Sequence, residues 1–223
     1  MIKGFSCRFV SVLLSLLVFF ASCISAKKLD AYVASEFNNK LPKADKKNDS
    51  SVLITSPIPS DPDIISVTEK KVKNLPLILY WKYDYRHTCV LNPAIGISYF
   101  KKTISQQAAK LKQKLNGQQL ELSVEQIPGS FAIVDKGHIL LLMIHWHKLY
   151  VDPGTKDLIV SYKVRQNGAE VKSGKIIIPN TEGQKGIRFA QSWKSSSSEF
   201  LSQYNLDITE MSKAFVNKLI AEL

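Results

Sequence analysis

Residues 97 to 117, ISYFKKTISQQAAKLKQKLNG, repeat with a helical period. Phe100, Ile104, Ala108, Leu111 and Leu115 share one stripe, Lys and Gln fill the other side, and Gly117 supplies the stop. The period then changes to two. In QLELSVEQIP, Leu120, Leu122 and Val124 alternate with Glu121, Ser123 and Glu125, as a strand with one wet face requires. Almost no chain separates helix from strand, so the two are expected to pack back to back. Three further strands are read at 138–151 (HILLLMIHWHKLYV), 157–164 (DLIVSYKV) and 171–179 (VKSGKIIIP), turning at DPGT and RQNGAE. Asn167-Gly168 is the pair that a type I′ hairpin favours, because both central positions need positive φ. These strands are therefore expected as antiparallel neighbours.

Upstream, SVLIT followed by three prolines predicts an edge strand ending in a turn. The β-branched and aromatic stretch after it predicts a strand from Leu77 to Tyr85, with Pro76 at its start or at a bulge. Leu77, Leu79, Trp81 and Tyr83 would face one way, and Ile78, Tyr80 and Lys82 the other. Near the end, Asp207 and Glu210 have capping-box spacing and Ile208, Met211, Phe215 and Leu219 form a stripe, predicting a second helix over 207–221. The serine-rich stretch 181–200 reads as an exposed loop. The fold class predicted is α+β: a single antiparallel or mixed β-sheet with two amphipathic helices, 98–116 and 207–221, packed on one face. One domain is expected over 51–223, with no internal repeat.

The first residues change the picture from fold to location. Lys3 and Arg8 precede a run at 9–22 of apolar and small hydroxyl side chains. That is the layout of a signal peptide, expected to span 1–22, and the run is shorter than the roughly 20 apolar residues of a membrane span. Two processing outcomes remain open. A signal peptidase could cut after Ala26, or Phe20, Ala21, Ser22 and Cys23 ("FASC") could serve as a lipobox whose cysteine becomes the lipidated first residue, with Phe20 in place of the usual Leu. Residues 23–50 would then be a lipid-anchored tether. Leu29, Tyr32, Val33, Phe37 and Leu41 allow a short amphipathic helix within it, followed by the polar PKADKKNDSS.

Cysteine usage fits export without a disulfide framework. Cys7 leaves with the signal peptide and Cys23 is lipidated or removed, so Cys89 remains as a single thiol. The net charge of +11 and pI near 9.5 raise the question of nucleic acid. The lysines are dispersed, however, and the aromatics are not interleaved with basic clusters as a stacking groove requires, so no nucleic acid is expected. Scattered lysines suit anionic lipid head groups or an ordinary solvated surface.

His145 and His147 share a strand face at the i, i+2 spacing by which sheets gather metal ligands. A third ligand would have to come from His138, His87 or Cys89, and none is evident, so these two are read as structural or surface residues and no metal or other cofactor is expected. His87 and Cys89 have the same spacing without a visible orienting group, and Cys89 reads as a small buried hydrophobe. No nucleophile elbow, phosphate loop, dinucleotide fingerprint or zincin motif occurs, so no catalytic residue is assigned.

With FASC, the helix ISYFKKTISQQAAKLKQKL and the strands that follow in hand, the chain resembles small outer-membrane lipoproteins of Gram-negative bacteria, including the auxiliary lipoproteins of lipid-transport and lipopolysaccharide-assembly systems. The resemblance implies a single sheet with helices on one face and a non-enzymatic binding or assembly role. Its partner would be an envelope protein or a lipid-like molecule between sheet and helix. Ile24 after the cysteine, rather than Asp, implies sorting to the outer membrane. The alternative is a periplasmic metal-binding protein or metalloenzyme using His145 and His147.

Overall fold

A computed structural model describes residues 24–40, 51–59, 67–76, 79–141, 144–188 and 191–223, with the side chain of His145 left out. The signal-peptide and Cys23 readings lie outside these residues. In chain order the elements are α1 (Ala26–Val33), continued by a π-helical turn (Ala34–Asn38), β1 (Val52–Thr55), β2 (Val67–Leu75), β3 (Tyr80–Val90), α2 (Pro93–Gln106), α3 (Ala108–Leu115), β4 (Gln119–Gln126), β5 (Ser130–Leu140), β6 (Ile144–Pro153), β7 (Leu158–Gln166), β8 (Ala169–Ile178), β9 (Lys185–Gly186) and α4 (Trp193–Glu222).

The fold is α+β, but the strands divide between two sheets rather than one. The first has order β1-β4-β7-β8 and is mixed, because β1 runs parallel to β4. The second, β2-β3-β5-β6-β9, is antiparallel throughout. The expected single sheet fails at DPGT. β6 ends at Pro153 and remains with β5, where Gly154 N–H donates to the Ser130 carbonyl at 2.8 Å, while β7 crosses to pair with β4 and β8. The alternation of 157–164 is real, but alternation does not say which strand lies alongside.

The expected strand 138–151 is also two strands. Leu141 takes φ +52° and its N–H reaches the Leu79 carbonyl at 3.1 Å, so β5 and β6 form a hairpin with Leu140 opposite Ile144. β5 begins at Ser130, in a stretch without polar alternation because Phe131, Ala132, Ile133 and Val134 are all buried. The Asn167-Gly168 hairpin forms as read, with φ +51° and +83° between β7 and β8.

Among the described residues four helices pack on the sheets, where two were expected. The first amphipathic stretch breaks at Gln107 into α2 and α3, and Phe100, Ile104, Leu111 and Leu115 are buried. α4 starts at Trp193, fourteen residues before the expected cap. Ser192 Oγ accepts the Ser195 N–H at 3.1 Å, and Ser196 and Ser197 are buried, so the serines are small contact residues of a helix. Asp207 sits mid-helix and accepts from Gln203 Nε2 at 2.8 Å.

Leu120, Leu122, Val124, Val160, Val164 and Ile176 turn the inner face of the mixed sheet to the helices, where Phe100 and Phe215 stand 5.5 Å apart. Its outer face carries ion pairs, Arg165 with Glu121 at 3.1 Å and Lys175 with Glu125 at 2.5 Å. α1 lies against β3 of the second sheet and buries Leu29, Val33 and Phe37 in the same core.

Candidate functional site

Among the described residues, the core covers one end of the five-stranded sheet and the helices leave the other end uncovered. Toward the core, His87, Cys89, Phe131, Ile133 and Val151 are buried. Toward the far end, nearly every residue of β2 is exposed. Register defines the far end row by row. The last row is Leu75–Tyr80–Leu140–Ile144, the next Asn74–Trp81–Ile139–His145, and the third Lys73–Lys82–His138–Trp146.

Because directly opposed residues share a face and successive rows alternate, Leu75, Ile144 and Trp146 lie on one face and Trp81 on the other. Leu79 and Leu141, both with positive φ, close the end of the sheet. These six large apolar side chains remain between 42% and 55% exposed.

Behind the apolar end the sheet is polar and basic. Lys73 is paired directly with Lys82, and Lys136 with Lys148. Asp84 holds Lys136 at 3.0 Å, and Asp152 holds Arg86 at 2.6 Å. On the opposite face Tyr83 and Tyr85 stack with centroids 5.5 Å apart, and Tyr83 lies over Gly137, where a Cβ would sit 2.3 Å from the ring. Burial, followed by the negative charge of Asp135, raises the pKa of the Tyr83 hydroxyl above its ordinary value.

The histidines are dispersed over this sheet. His147 Nε2 meets Asp135 Oδ1 at 2.9 Å, and position 145 is paired with Ile139. His138, opposite Trp146 and therefore on the other face from His147, contacts the Tyr80 hydroxyl through Nδ1 at 2.7 Å. His87 lies nearer the core with Nδ1 3.0 Å from Thr68 Oγ1, and burial lowers its pKa, favouring the neutral ring. Cys89 is buried, with Sγ 3.9 Å from Asp30 Oδ1. Among the described residues no group of three or more His, Cys, Asp or Glu is placed to hold a metal ion.

The exposed apolar end was not singled out by the sequence reading. Its signal was there in the density of Leu, Ile and Trp around Pro76 and through 139–146, broken by few polar residues. Period-two alternation hides it, since each apolar residue is assigned to a sheet face without any sign that a helix fails to cover that face. Phe100 and Phe215 fill the layer between the mixed sheet and its helices. Among the described residues no helix is long and apolar enough to cross a membrane. Comparison with protein-family models, with curated proteins and with solved structures finds no match for this chain.

Proposed function

We propose that this chain is a non-enzymatic lipoprotein of the bacterial cell envelope, anchored through Cys23 and serving in binding or assembly at the periplasmic side of the outer membrane. The observation that carries the reading is the start of α1. Ser25 is its N-cap, accepting the Lys28 N–H through Oγ at 3.3 Å, and the Ser25 carbonyl accepts the Leu29 N–H at 3.0 Å. Ile24 packs against the core. A cut after Ala26 would remove the cap and Ile24, leaving the first turn of α1 with orphan N–H donors. A cut before Cys23 preserves both, which supports the lipobox reading of FASC over the alternative.

The same geometry alters the expected tether. The polar stretch 41–50 follows α1 in the chain, and α1 is packed into the core, so only the peptide bond to Ile24 separates Cys23 from the packed body. An acylated Cys23 would hold the domain close to the bilayer. Mass spectrometry of the mature N-terminus tests this: a diacylated or triacylated Cys23 is expected, and a chain starting at unmodified Lys27 overturns it. A Cys23→Ser variant is expected to keep its fold and leave the envelope membrane fraction.

A further inference from the structure

We propose that the free end of the five-stranded sheet dips into the interfacial layer of an anionic phospholipid bilayer, with Leu75, Ile144 and Trp81 among the hydrocarbon-facing groups, Trp146 level with Lys73 and Lys82 at the head-group boundary, and the second lysine row further back. This deepens the envelope reading above and rests on it for the presence of a membrane.

The distribution of apolar groups selects a lipid surface over a protein partner. A docking patch for a protein occupies one face, covered by one complementary surface. Here Leu75, Ile144 and Trp146 occupy one face, Trp81 the other, and Leu79 and Leu141 the end. Covering all of them at once takes a medium that surrounds the end of the sheet. The bilayer interface does this, and Trp is the residue enriched there, with an apolar ring and a polar N–H.

Charge agrees with that placement. Along the strands the rows run from apolar to basic: Leu75, Tyr80, Leu140 and Ile144, then two residues back Lys73 and Lys82 beside His138 and Trp146, then two further back Lys71, Lys136 and Lys148 around a single acid, Asp84. At about 3.3 Å per residue the two lysine rows sit roughly 7 and 13 Å behind the last apolar row. An interfacial element buries its apolar part about 5–10 Å deep, so the first lysine row would reach the phosphates. Lys73 opposite Lys82 is a like-charge cross-strand pair, which destabilises a sheet in water, whereas Lys136, opposite Lys148, is already paired with Asp84. An anionic surface relieves that repulsion.

The test uses the full chain as isolated from the envelope, reconstituted into phosphatidylcholine–phosphatidylglycerol vesicles containing lipids brominated high on the acyl chain. Three variants leave one reporter each: Trp146→Phe with Trp193→Phe leaves Trp81, Trp81→Phe with Trp193→Phe leaves Trp146, and Trp81→Phe with Trp146→Phe leaves Trp193. Trp193 packs edge-on against Tyr32 of α1 at 5.6 Å and serves as the internal control. Trp81 and Trp146 are expected to be quenched by the brominated lipid and shielded from aqueous iodide, and Trp193 less so. Lys73→Gln and Lys82→Gln are expected to weaken the shielding, each by roughly fivefold in partition to the anionic vesicles.

Protein that floats with the vesicles while Trp81 and Trp146 stay open to iodide overturns the inference and leaves the Cys23 anchor standing. Shielding of both tryptophans by envelope proteins without quenching by brominated lipid overturns it in favour of a protein partner. If a Cys23→Ser change leaves flotation unaltered while quenching of Trp81 and Trp146 persists, the anchor reading falls and the inference holds.

Discussion

The Tyr204 hydroxyl donates to the Pro128 carbonyl at 2.6 Å across 76 residues of sequence, inside the core. Pro128 lies in the short connection by which the chain passes from β4 of the mixed sheet to β5 of the antiparallel sheet, and Tyr204 is on α4. The bond thus fixes α4 to the joint between the sheets. Burial pushes the Tyr204 pKa above the ordinary tyrosine range, so the hydroxyl keeps its proton and remains a donor. Tyr204→Phe is expected to lower stability by about 1–3 kcal/mol, the cost of leaving a buried carbonyl unpaired. The midpoint of denaturant unfolding measures it.

Phe37 decides whether the stretch before residue 41 belongs to the domain. It is buried on the π-helical turn and meets Tyr204 edge-on at 5.5 Å. Asn38 and Asn92 then lock this turn to the start of α2: the Asn92 N–H donates to Asn38 Oδ1 at 2.8 Å, and Asn92 Nδ2 donates to the Asn38 carbonyl at 3.2 Å. Phe37→Ala is expected to cost about 3–5 kcal/mol, as for other buried Phe truncations. A loss near zero in the same unfolding measurement would mean that α1 is a loosely attached tether after all.

Two glycines are held by the rings opposite them. Gly137 is paired with Tyr83 in one sheet and Gly174 with Tyr162 in the other, and a Cβ at either would come within 2.3 to 2.8 Å of ring atoms. The two Tyr rings differ in what holds their far ends. Tyr162 donates to Glu222 Oε2 at 2.6 Å, tying the last turn of α4 to the sheet, and this hydrogen bond is the main cause of its pKa rising to about 12. Gly174→Ala is therefore expected to displace Tyr162, break that bond and raise amide hydrogen exchange over 219–223. Gly137→Ala should leave those amides unchanged and act only on the free end of the antiparallel sheet.

Local pattern was enough to read the elements whose cause is local. The stripe Phe100, Ile104, Leu111, Leu115, the alternation of 119–125 and the Asn167-Gly168 turn each follow from period and φ preference alone. What the pattern could not supply was partnership. β7 alternates identically whether β6 or β4 lies beside it, and the choice is made by the crossing at Gly154. The serines at 195–198 read as loop because serine favours caps and turns. They are helical because α4 needs small residues where Ser196 and Ser197 meet the core. Likewise, the free end of the sheet is defined by which rows the helices leave uncovered, a tertiary fact that neither Trp81 nor Trp146 carries in its own neighbourhood.

The last prediction concerns Glu182 and Asp207, which face each other across the gap between the loop after β8 and α4. Glu182 forms an ion pair with Lys185 at 3.3 Å, yet burial, then a hydrogen bond with Asp207 and the charge of that group, pushes its pKa up from 4.5 to about 7. Between pH 4.5 and about 7 the native chain therefore holds a proton that the unfolded chain has released, so unfolding releases a proton and stability falls as pH rises. The stabilisation is fully present below 4.5 and lost as pH rises through about 7. Glu182→Gln keeps a donor toward Asp207 without a titrating proton, so the variant is expected to show a flat dependence where wild type slopes. Urea midpoints of both proteins at pH 5, 6, 7 and 8 make the comparison, and parallel slopes would show that Glu182 is ionised throughout.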